Sequence, residues 1–157
     1  MAVMRRQLKL AQGWCWMVAL VWCSFLPAVV AQSGNIKLEA QLVWGTNDGT
    51  SPNPKHKPVD ADIRKKLKEL PLKWTNYFVE TRKSLEVTEG TAKRISLSDR
   101  CDLEVKNLGA SKVEVTHFGK GEKVVKQTQD LPKGELLVLG GNAPNSTAWL
   151  VIVKHVE

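Results

Sequence analysis

Residues 95–115 read Ile-Ser-Leu-Ser-Asp-Arg-Cys-Asp-Leu-Glu-Val-Lys-Asn-Leu-Gly-Ala-Ser-Lys-Val-Glu-Val. Ile95 and Leu97, then Cys101, Leu103 and Val105, then Val113 and Val115 take every second position, with polar residues between them. Successive side chains of an extended chain point to opposite faces, so this period of two marks half-buried strands. Asn107-Leu-Gly109 and Ala110-Ser111 separate the last two strands as a turn. Three short antiparallel strands in about 20 residues set the fold class.

The same reading extends in both directions. Upstream, Ile36, Leu38, Ala40, Leu42 and Trp44 alternate with Lys37, Glu39, Gln41 and Val43, another half-buried strand. Tyr77, Val79, Leu85 and Val87 share one parity, but Thr81, Arg82 and Lys83 interrupt them, as an edge or a bulge would. Downstream, Val124-Val125 follows a turn at Gly119 and Gly121, and Pro132-Lys-Gly134 makes the next turn. Leu136–Leu139 and Ala148–Val153 are continuous apolar runs, expected as central strands covered on both faces. The expected fold is mainly β: an antiparallel sandwich or small barrel of about eight strands. The cysteine and tryptophan pairing of immunoglobulin domains is absent.

One short helix breaks the β pattern. Asp60 is placed to cap it, and Asp62 falls in the first turn, where a negative charge complements the helix dipole. Ile63, Leu67 and Leu70 fall on one face, and Pro71 ends the helix. Gly45 to Pro58, with Pro52, Pro54 and Pro58, is expected as a loop, as is the Gly- and Asn-rich stretch 140–146. Trp74, with Tyr77 and Phe78, is placed to pack the helix onto the sheet.

The chain has 157 residues, and its first 31 have the character of a signal peptide. Arg5, Arg6 and Lys9 form a basic start, an apolar stretch follows from Gly13, and Val29-Val30-Ala31 suits cleavage. The alternative is an uncleaved anchor; either way residues 32–157 are expected as a single β-rich domain outside the cytoplasm, secreted or periplasmic after cleavage and membrane-anchored without it. No later apolar run reaches the roughly 18 residues that span a bilayer. Of three cysteines, Cys15 and Cys23 leave with the leader. Cys101 remains, without an intramolecular partner, and is expected as a small buried strand residue with no histidine nearby.

Loss of the leader lowers the formal net charge from +7 to +4, because Arg5, Arg6 and Lys9 leave with it. The segment 55–73 has the same net +4 by itself. His56, Lys57, Arg64, Lys65, Lys66 and Lys68 are therefore the candidate binding residues. The partner expected for them is an anionic envelope component or a protein. Nucleic acid is not expected for an exported chain of this modest charge.

Catalytic residues are not assigned. No H-x-x-x-H, C-x-x-C, G-x-S-x-G or S-x-x-K occurs, and no cofactor is implied. His56 with Asp60 and Asp62 is read as a solvated loop histidine beside a helix cap, not as a metal site. His117 is read as a partly exposed strand-end residue. Trp44 and Trp149 lie in apolar strand patterns and are expected in the core, although a sugar-stacking platform is the alternative. Asn145-Ser146-Thr147 fits a glycosylation acceptor. The function expected is a non-catalytic binding or interaction module. The alternatives are a small hydrolase using His117 or His56, and a structural subunit of an exported assembly.

Overall fold

The computed structural model describes residues 34–143 and 146–156. The leader expected at 1–31 and the acceptor expected at Asn145 lie outside them. Nine strands and one helix follow in the order β1 (Asn35–Thr46), β2 (Lys57–Pro58), α1 (Ala61–Glu69), β3 (Asn76–Thr88), β4 (Ala92–Ser98), β5 (Cys101–Gly109), β6 (Lys112–Gly119), β7 (Glu122–Asp130), β8 (Leu136–Ala143) and β9 (Thr147–His155). They form a five-stranded sheet, β2-β3-β1-β9-β8, and a four-stranded sheet, β4-β5-β6-β7. All strand pairs are antiparallel, and neither sheet closes into a barrel. Eight strands match the sequence reading; the ninth is the two-residue β2, inside what reads as a loop.

Two apolar clusters hold the layers together. Between the sheets, Leu38 and Leu42 of β1, Leu137 and Leu139 of β8, and Val151 and Val153 of β9 meet Leu103, Val105, Val113 and Val115. On the other face of the five-stranded sheet, Val43, Leu150 and Ile152 pack against Ile63 and Leu67 of α1. Each side chain so buried contributes roughly 1.5–3 kcal/mol. Both faces of β9 are thus covered, which explains its continuous apolar run. β8 has the same composition but lies at the sheet edge, not in the centre. Its run reflects two covered faces, and face coverage does not determine how many neighbours a strand has.

The interrupted third strand has a specific cause. Leu42 pairs with Thr81 and Val43 with Val79, so Glu80 is an extra residue in β3. One extra residue reverses the side-chain parity. Tyr77 and Val79 therefore face the helix, whereas Leu85 and Val87, of the same sequence parity, face the other sheet.

The helix begins after Asp60, but the Asp60 side chain makes no cap hydrogen bond. It accepts one from Arg82 Nη2 at 2.7 Å instead. Asp62 is paired with Lys154, which holds its carboxyl below the ordinary value. Leu70 falls after the helix and is exposed, so Ile63 and Leu67 alone make the buried stripe. Trp74 packs against the helix-side cluster and donates from Nε1 to the Ser146 carbonyl at 2.7 Å, bracing the β8–β9 end.

Candidate functional site

β7 is an edge strand of the four-stranded sheet, and it borders an open space between the two sheets. All but one residue of β7 is exposed, Val124 at 62% and Val125 at 37% among them. The space is a cleft of about 780 Å³. Leu42, Leu139, Trp149 and Val151 line it from one sheet, and Val124, Val125 and Gln127 from β7 line it opposite. Its size and mainly apolar walls are those of a small-molecule pocket. Glu80, Asp99, Arg100 and Lys120, which also line it, balance one another in charge.

The cleft has an aromatic end. Trp44 is the cross-strand partner of Trp149 in β9 and of Phe78 in β3, and Trp149 is the partner of Gly141 in β8. Directly opposed residues share a face, so Phe78, Trp44, Trp149 and Gly141 form one row across the sheet. The two indole rings meet edge to face, with centroids 4.5 Å apart and planes at 67°. Trp149 is 39% exposed, which corrects its expected place in the core. Trp44 is also only partly buried. The parity was right, but this end of the row faces the open cleft and not a closed core. Gly141 has nothing within 4 Å of where a Cβ would stand, so the row is open at β8.

Cys101 and His117 form part of the cleft wall. Cys101 is buried, as expected, but a histidine does lie beside it: Sγ is 3.4 Å from His117 Nε2. The two are 16 residues apart, brought together by the β5–β6 register, so no local motif reveals them. Burial, together with Asp102 and Glu80, pushes the thiol up to about 11. Burial also lowers the His117 value, which favours the neutral ring. At neutral pH this is a thiol beside a neutral imidazole. A nucleophilic cysteine needs the opposite electrostatics.

The residues of the basic segment lie elsewhere. α1 covers the opposite face of the five-stranded sheet, where Arg64, Lys65 and Lys68 are exposed and make no ion pair among the described residues. Lys66 is engaged by Glu135 at 2.8 Å and by the Gly134 carbonyl at 2.9 Å. Lys57 is exposed in β2. His56 Nδ1 is 2.8 Å from Ser51 Oγ, which also accepts from Asn53 N–H, a local knit of the loop. Asp60 and Asp62 turn to Arg82 and Lys154, away from any shared cation site. No cluster of three metal-ligating side chains occurs among the described residues.

The sequence does place a glycine pair after an apolar run, within one hairpin of a tryptophan. Its meaning depends on strand register and on where β7 lies across the cleft, neither of which periodicity supplies. No protein-family model matches the chain, and no curated protein or solved structure matches it either.

Proposed function

We propose that the chain is a non-catalytic binding module of the cell envelope or extracellular space, and that the cleft between its sheets takes a mainly apolar ligand with a flat face. The observation that supports this is the exposed Trp149, set edge to face on Trp44 at the end of an apolar cleft of about 780 Å³. Partly exposed indoles cost solvation unless something covers them, and a planar ligand covers them best. The exposed Arg64, Lys65 and Lys68 lie on the far face of the same sheet. In this proposal they hold the domain against an anionic envelope surface and leave the cleft free.

Nile red, a neutral apolar dye with a flat ring system, is the probe. Its emission should shift to the blue on titration with the native protein, and Trp149→Ala should weaken the binding several-fold. Arg64→Glu should leave it unchanged. No shift with the folded wild type, or an equal shift with Trp149→Ala, would overturn the cleft reading.

A further inference from the structure

We propose that the β8 edge is a pairing edge for a second copy of this chain, joining two five-stranded sheets into one continuous sheet. The inference comes from how the edges are guarded. An unpaired edge strand invites association, and monomeric proteins blunt it with charge, proline, bulges or shortness. Three of the four edge strands follow that rule. β2 is two residues long and ends in Pro58, β4 has Lys93 and Arg94, and β7 has Lys123 and Lys126. The part of β3 beyond β2 has Arg82, Lys83, Glu86 and the Glu80 bulge. β8 reads Leu-Leu-Val-Leu-Gly-Gly-Asn-Ala over 136–143, with no charge and no proline.

The strand is also complementary to itself. Its first half is large and its second half small. Antiparallel pairing about a two-fold axis through Gly140 puts Leu139 of each copy opposite Gly141 of the other. It also sets Val138 opposite Asn142 and Leu137 opposite Ala143. Large therefore meets small at each step, and no like charges oppose each other. Parity agrees, since each pair lies on a single face of the sheet. Leu139 lines the intersheet cleft and Asn142 a second cavity of about 420 Å³ on the helix side, while Val138 and Gly141 border both. The edge thus has an open space on each face, ready for the alternating side chains of an added strand. Such a two-fold axis stands perpendicular to the sheet, so both α1 helices, with Arg64, Lys65 and Lys68, face the same way.

Sedimentation of the native purified chain against concentration tests this, together with hydrogen exchange at Leu136–Ala143. The wild type should pass from one copy to two as concentration rises, and the β8 amides should gain protection over the same range. Asn142→Lys sets a charge opposite the other copy's Val138 and should give a monomer that unfolds thermally like the dilute, monomeric wild type. Asn142→Ser should still dimerise. This variant lies outside the intersheet cleft, so Nile red binding by Asn142→Lys reports on that reading separately. A wild type that remains monomeric, or a dimer that persists in Asn142→Lys without β8 protection, overturns the proposal. In the first case, protection of β8 by an added apolar peptide would assign the edge to a foreign strand.

Discussion

Cys101 Sγ and His117 Nε2 are 3.4 Å apart across β5 and β6, yet their surroundings favour the uncharged form of both. The thiol is pushed up to about 11 from an ordinary 9.0, first by burial and then by Asp102 and Glu80. The native protein should therefore react slowly with maleimide at pH 8, and unfolding in denaturant should release a fast reaction. His117→Ala should not accelerate it, because the imidazole is not generating thiolate. The linkage has a definite sign. Below pH 9 the thiol is protonated in both states and its contribution is intact; from about 9 to about 11 the unfolded chain ionises preferentially, so stability falls. Cys101→Ser should flatten that alkaline decline, measured by urea unfolding at several pH values.

The indole pair should be energetically coupled. Edge-to-face aromatic pairs contribute about 0.5–1.5 kcal/mol beyond area burial. A double-mutant cycle of Trp44→Ala and Trp149→Ala should return an interaction energy in that range. A value near zero would mean that the rings are merely adjacent.

Much of the architecture was legible because alternation is a local property. Leu103 and Val105 announce their strand whatever packs on them. What stayed hidden depends on distance. The parity of Tyr77 and Leu85 gives no sign that they face different layers, because the Glu80 bulge between them shows only in the register with β1. Trp149 has the right parity for the core but faces the open cleft. For the site, the charge of the basic segment was visible, whereas the cleft was not, since every strand except β2 contributes only one or a few residues to it.

Asn107 reads as a turn residue but works as a latch between the sheets. It is 1% exposed and lies within β5. Its Nδ2 donates to the Gly34 carbonyl at 2.9 Å and to the Val87 carbonyl at 3.1 Å, and its Oδ1 accepts from Gly109 N–H at 2.9 Å. The turn itself lies at Ala110 and Ser111, both with positive φ. A buried group left without a partner costs about 1–3 kcal/mol. Asn107→Ala strips the partner from Gly109 N–H and removes a bond from each carbonyl, so it should cost about 3 kcal/mol in urea unfolding. Asn107→Asp keeps the acceptor but loses both donors and buries a charge, so it should not rescue the loss.

The last prediction concerns the face that α1 presents. Arg64, Lys65 and Lys68 are exposed, off the Ile63–Leu67 stripe, and make no ion pair among the described residues. Lys66 is excluded from the design because Glu135 already engages it. Reversing Arg64, Lys65 and Lys68 to Glu should leave thermal unfolding nearly unchanged, since solvated charges contribute little to stability. It should abolish retention on vesicles containing phosphatidylglycerol, if this face holds the domain to an anionic surface. Wild-type retention should be strong at low salt and weaken as the Debye length falls to about 8 Å at physiological ionic strength. Neutral phosphatidylcholine vesicles should retain neither protein. Wild-type protein that ignores anionic vesicles at low salt, or a triple variant that still binds them, would leave α1 as a solvated helix whose work ends with burying Ile63 and Leu67.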